Sequence, residues 1–314
     1  MQNALAVIAF GGNAILKEGE RGTQEEQMRH TDEACDLMAQ IVQRGYDLVI
    51  VHGNGPQVGN ILIQMEEAVN KVPPFSLDLC VAVSEGSMGY MLERSLRNQF
   101  RKRGIKKEVA TLITQVMVDP RDAAFENPSK PIGPFFTAYR AAALKKEKKW
   151  PMIEDSGRGY RRVVASPLPQ RIINLETIKS LIQRGSCVIA AGGGGIPAYY
   201  DAHENIKGVE AVIDKDYTSS LLAAELKADL FVILTNVDHV AANFGKKNQK
   251  NLTRVKLKEI RRYHERGHFP PGSMGPKIQA AVQYIENGGK EVLVTSAKEL
   301  LRALRGHTGT HIVK

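Results

Sequence analysis

The chain has 314 residues, 43% of them hydrophobic and only 6% aromatic, enough to bury one large or two modest cores. No run approaches the roughly 18 apolar residues of a membrane helix, and the opening Met-Gln-Asn-Ala-Leu-Ala-Val lacks the basic segment and cleavage site of a secretory signal, so a cytoplasmic protein with no membrane partner is expected. The balance of 43 Lys+Arg against 34 Asp+Glu, a formal +9, is no sign of nucleic acid, because runs such as Arg101-Lys102-Arg103 and Lys145-Lys146-Glu147-Lys148-Lys149 carry no interleaved stacking aromatics.

Leu5, Val7, Ile8, Ala9 and Phe10 predict a short buried strand that runs straight into Gly11-Gly12-Asn13. Thr23-Gln24-Glu25-Glu26 has capping-box form. Met28, Thr31, Ala34, Cys35, Met38, Ile41 and Val42 then recur at helical spacing until Arg44-Gly45. Leu48 to Val51 make a second strand, again followed by glycines in His52-Gly53-Asn54-Gly55-Pro56, with Pro56 suited to open a helix. Further strands are expected at 109–113, 187–191, 230–234 and 291–294. Helices are expected near 57–70, 77–103, 175–184, 216–227, 256–266, 275–287 and 297–305. Such alternation implies a mostly parallel sheet covered by helices. Between Asp119 and Pro169 the pattern breaks into a proline-rich excursion, expected to be an inserted lid over the active site.

Glycines at the carboxyl ends of consecutive strands are expected to present backbone N–H groups to an anion. Gly192-Gly193-Gly194-Gly195 must likewise admit something that approaches the backbone closely, given the entropic cost of four glycines in a row. Lys215 and Lys277 stand at helix starts, where a cation opposes the macrodipole unless an anion is present. Asp216 can hold such a lysine through a charge-assisted hydrogen bond. These features suit phosphoryl transfer, and Lys130, in a stiff Ser-Lys-Pro loop, can reach the moving group from above. The histidines pair with no Ser or Cys nucleophile, and no carboxylate cluster forms a cage for a metal, so Mg²⁺ is expected to arrive with the nucleotide. Cys35, Cys80 and Cys187 are expected to be buried free thiols.

The segments Ala9-Phe10-Gly11-Gly12-Asn13-Ala14, His52 to Gly59, Pro128 to Gly133, Gly157 to Val164, Gly192 to Pro197, Val209 to Asp216, Gly272 to Lys277 and Gly309 to Ile312 together resemble the amino acid kinase superfamily, and within it the carbamate kinases, along essentially the whole chain. The resemblance implies an α/β fold, a three-layer αβα sandwich with a mainly parallel central sheet of eight strands. It implies a single domain over 1–314, a protruding subdomain over 119–169, and a homodimer. It also implies the reaction ATP + carbamate ⇌ ADP + carbamoyl phosphate, run toward ATP in arginine and nitrogen catabolism. By similarity, Gly11, Gly12, Asn13, Gly53 and Asn54 hold the carbamoyl phosphate end. Lys130, Lys215 and Lys277 neutralise the moving phosphoryl group, and Asp216 orients them. Thr235, Asn236, Val237, Phe244 and Met274 lie around the nucleotide, together with Lys215 and Lys277. The chain carries Ala9-Phe10 where the wider superfamily places a lysine, and Lys130 replaces that charge, which favours the carbamate branch. It departs from that branch in Glu85 for Gln, Tyr217 for Leu and Asn236 for Asp. The alternatives are a related enzyme acting on another small carboxylate and a non-catalytic nucleotide-binding regulator.

Overall fold

Residues 3–11, 20, 22–155, 157–270 and 273–314 are described by the computed structural model. The first part runs β1 (Ala4–Phe10), α1 (Gln24–Gln43), β2 (Tyr46–His52), α2 (Gly55–Glu67), α3 (Leu77–Lys102), β3 (Val109–Leu112) and β4 (Gln115–Met117). An excursion follows, made of β5 (Lys130–Phe136), α4 (Ala138–Glu147), β6 (Met152–Glu154) and β7 (Tyr160–Val164). The main body resumes with β8 (Arg171–Ile172), α5 (Leu175–Gln183), β9 (Cys187–Ala190), β10 (Ile196–Tyr200), β11 (Ile206–Gly208), α6 (Lys215–Glu225) and β12 (Leu230–Thr235). Last come β13 (Val240–Ala242), β14 (Lys250–Leu252), β15 (Arg254–Lys256), α7 (Leu257–Glu265), α8 (Met274–Glu286), β16 (Glu291–Ser296), α9 (Leu300–Ala303) and β17 (Thr310–Val313).

The central sheet has eight strands in the order β15-β17-β16-β12-β1-β2-β9-β3. Every neighbouring pair is parallel except β16 and β17. Alternation along β1 divides the core in two. Ala6, Ile8 and Phe10 pack with Met38 of α1, Leu92 of α3 and Ala303 of α9. Val7 and Ala9 pack on the other side with Ile178 of α5, Leu222 of α6, Ile260 of α7 and Ile278 of α8. Helices therefore cover both faces, which makes a three-layer sandwich and explains why the strands read as continuous apolar runs.

Local signals have local causes. Thr23 accepts the N–H of Glu26 while Glu26 accepts the N–H of Thr23, so both bonds of the capping box form at the start of α1. The helix expected over 297–305 is instead a 3₁₀ turn, Ala297–Glu299, followed by one short α-turn. Strands β15 and β17 were not expected from the pattern; each is short and is specified by its neighbours.

The excursion is a three-stranded antiparallel sheet, β5-β7-β6, with α4 and a small core of Ala141, Leu144 and Met152. It rests on α2. Gly59 of α2 faces Gly133 of β5 so closely that a β-carbon on Gly59 would lie 2.0 Å from the Gly133 Cα. Glu66 of α2 also takes both Arg162 and Lys148, each at 3.2 Å.

Candidate active site

Parallel strands β1, β2, β9 and β12 end on one edge of the sheet, where open α/β sheets hold ligands. Beside that edge Asp214 caps α6, its Oδ1 accepting the backbone N–H of Asp216 at 2.9 Å. Lys215 and Asp216 are the first two residues of the helix and both are buried. Asp216 is shared: Oδ1 accepts from Lys215 Nζ at 2.5 Å and Oδ2 from Lys277 Nζ of α8 at 2.7 Å. Asp214 Oδ2 takes Lys130 Nζ of β5, also at 2.5 Å. The structure thus brings together all four residues expected to act on the phosphoryl group, with Asp214 as a fifth.

Three lysines against two aspartates leave a net charge of +1 at a helix N-terminus, a place that favours anions. Burial works against ionisation of Asp216, but Lys215 and Lys277 outweigh it and hold the carboxyl well below its ordinary range. Asp214 is also held low: burial opposes its charge, and Lys130 more than offsets this. For Lys277, burial is outweighed by Asp216, so its ammonium is strengthened. For Lys215, burial prevails and lowers its pKa.

The glycines correct one expectation. Gly53 does not offer its N–H to a ligand, because Phe10 accepts it at 2.8 Å across the β1–β2 register. Asn54 stands at the start of α2 with its side chain buried, donating to Ser84 Oγ at 2.8 Å. Gly11 follows β1, whereas Gly12 and Asn13 lie outside the described residues. The glycine run after β9 admits neighbouring protein atoms. A β-carbon would meet His52 Nε2 at 2.3 Å from Gly192, Asn54 Nδ2 at 2.1 Å from Gly193, and the Ile213 carbonyl at 2.5 Å from Gly194. Gly193, Gly194 and Gly195 all have φ between 68° and 97°. The turn therefore wedges between the start of α2 and the residues leading into α6, and Thr218 of α6 donates to the Gly194 carbonyl at 2.8 Å.

Glu85 faces this turn. Its Oε1 accepts the N–H of Gly192 at 2.8 Å and its Oε2 that of Thr114 at 3.1 Å, so it fastens the turn from α3. Burial nevertheless pushes its carboxyl up to about 8. His52 beside it is buried and held down to about 4 by burial, with Nε2 unpartnered.

Thr235 ends β12, and Asn236 and Val237 continue from the same edge. Phe244 is exposed and lines a cleft of about 410 Å³ with Asn243, Lys246, Arg266, His268 and Phe269. Met274 opens α8, three residues before Lys277. Asp214 and Thr218 carry structural roles here that sequence reasoning did not assign. For Asp214 a signal existed, an Asp immediately before a helix start.

The amino acid kinase family model matches residues 4–296. The chain is 47% identical to the carbamate kinase of Pyrococcus horikoshii, covering 98% of each chain. It is 46% identical to the carbamate kinase-like protein YahI of Escherichia coli, covering 99% of each. Among solved structures, carbamate kinase from Giardia lamblia bound to AMP-PNP superposes with a TM-score of 0.91 at 40% identity, over 99% of both chains. Sheet order, lysine cluster and these likenesses agree: the chain belongs to the amino acid kinase family.

Proposed function

We propose that the chain is a carbamate kinase, catalysing ATP + carbamate ⇌ ADP + carbamoyl phosphate. The observation that carries this reading is the cluster at the start of α6, where lysines from three separate elements converge on two carboxylates with charge left over for an anion. Carbamate is itself an anion and a nucleophile. No general base is needed, and catalysis reduces to alignment and charge neutralisation. A lysine about 4 Å from a phosphoryl oxygen contributes roughly 4 kcal/mol at an effective dielectric of about 20. Lys215 and Lys277 neutralise the group in transfer, Asp216 fixes their ammonium groups, and Lys130 acts from the excursion, which serves as a lid.

Gly11, Gly12, Asn13, Gly53 and Asn54 border the carbamoyl end. Thr235, Asn236, Val237, Phe244 and Met274 border the nucleotide, and the nucleotide analogue bound to the Giardia lamblia relative supports a nucleotide site here. Asp214 and Asp216 are already engaged by lysines, so Mg²⁺ enters on the phosphates of ATP or ADP as part of the substrate. Carbamoyl phosphate is a mixed anhydride, which favours net flux toward ATP, as a cytoplasmic nitrogen-catabolic enzyme would run. Leu79, Val83 and Tyr90 form an exposed apolar strip on α3 beside Ile113. That strip supports a homodimer.

The test is ATP formation by the purified protein from ADP, Mg²⁺ and carbamoyl phosphate, coupled to hexokinase, with Lys277→Ala as control. Rapid formation that the control loses supports the reading. A folded, ADP-binding protein that makes no ATP overturns it.

A further inference from the structure

We propose that Asp214 is a positioning residue for the transfer, seating the lid lysine Lys130 over the N-terminus of α6. The inference rests on the phosphoryl-transfer reading above and extends it to a residue for which that reading needs no role. Three observations lead to it. First, the carboxylate is immobilised by the helix it caps, since Oδ1 accepts the Asp216 N–H at 2.9 Å and leaves Oδ2 for Lys130. Second, Asp216 has no oxygen to spare: one takes Lys215 and the other Lys277. The two carboxylates divide the lysines between them, Asp216 holding the pair from the main body and Asp214 the one from the lid. Third, the lid has a second anchor elsewhere, the backbone contact of Gly133 with Gly59 on α2. With the middle of β5 fixed there, the Lys130–Asp214 bond sets the position of its first residue.

Both side chains of this pair are partly exposed, 24% for Lys130 and 17% for Asp214, so the bond can exchange for one to a substrate anion. Asp214 then holds the lysine in register before the phosphoryl group arrives. It acts only through Lys130.

Asp214→Asn separates positioning from capping, because Asn caps a helix about as well as Asp but carries no charge for the lysine. Asp214→Ser, another good cap, serves the same test if the Asn variant does not fold. In the ATP-forming assay we expect kcat to fall by about tenfold to a hundredfold, with KM for ADP within about twofold. Lys130→Ala should lose at least as much, and the double variant should be no worse than Lys130→Ala alone, since both changes remove one interaction. Amide hydrogen exchange across β5 and β7 in the ligand-free protein should rise about fivefold, alike in both single variants and the double, as loss of a partly exposed ion pair implies. Multiplying losses in the double variant, or unchanged exchange of β5 in Asp214→Asn, would overturn the proposal. A wild-type protein that forms no ATP would defeat the carbamate kinase reading, while the exchange comparison would still decide the role of Asp214.

Discussion

Replacing Glu85 by Gln removes a buried titratable group while keeping the shape of its side chain. Burial raises the Glu85 carboxyl to about 8 in the folded protein, although the N–H groups of Thr114 and Gly192 pull the other way. In the unfolded chain the same group ionises near 4.5. Between these values the folded protein keeps a proton that the unfolded chain has released. Its stability therefore falls as pH rises from about 4.5 to about 8 and levels off above. One proton contributes a slope of up to about 1.4 kcal/mol per pH unit. From pH 5.5 to 7.5 the wild type should thus lose about 2 to 3 kcal/mol relative to the Gln variant. Urea unfolding of both proteins at several pH values between 5 and 9, at one protein concentration, gives this difference directly, because contributions from all other groups cancel. A difference that does not change with pH would refute the reasoning. It would mean that the two backbone donors outweigh burial and that Glu85 remains a carboxylate throughout.

Lys215→Ala leaves Asp216 with one ammonium partner and takes a charge from the phosphoryl site, so kcat should drop by about a hundredfold to a thousandfold; near wild-type turnover in the coupled assay would remove Lys215 from the chemistry. In Gly59→Ala the new β-carbon would lie 2.0 Å from the Gly133 Cα, so β5 must move off α2. Turnover should fall more than about tenfold, and the emission of Trp150, the chain's only tryptophan and part of the excursion, should change; unaltered emission and rate would mean that the contact yields. Leu79→Asp with Val83→Asp places charges in the apolar strip of α3 and should convert a dimer to a monomer in sedimentation velocity, whereas an unchanged mass would put the interface elsewhere.

Much of the body of the fold was legible because its causes are local. The alternation of Ala6, Val7, Ile8, Ala9 and Phe10 is a strand between two helical layers, and the capping box at Thr23 formed as its spacing requires. Strand β17 was not legible, since Thr310–Val313 becomes a strand only by pairing with β15 and β16. The site divided in the same way. Lys215 and Asp216 stood out because a cation at a helix start is unusual, and the structure joins them to Lys277, 61 residues away along the chain. Gly53 misled, because whether a glycine N–H is free depends on the register of the next strand, and here Phe10 takes it. Glu85 could be assigned to a helix, but the direction it faces depends on how α3 packs against the turn after β9.

The excursion begins and ends at neighbouring points. It leaves after β4 and returns at β8, and Met117 lies directly across from Arg171, Val116 from Ile172. Both ends of a segment of about fifty residues thus sit on the β4–β8 pair of the four-stranded sheet β11-β10-β4-β8, the kind of site where insertions disturb a host least. Shortening the segment to a tight turn would leave the strand order of the eight-stranded sheet untouched, but it would remove Lys130 and take Ile132 and Val164 from the core they share with Val58 of α2 and Val81 of α3. The β4–β8 pair is therefore a graft point, at which descent could exchange the module carrying Lys130 while keeping the central sheet beneath it.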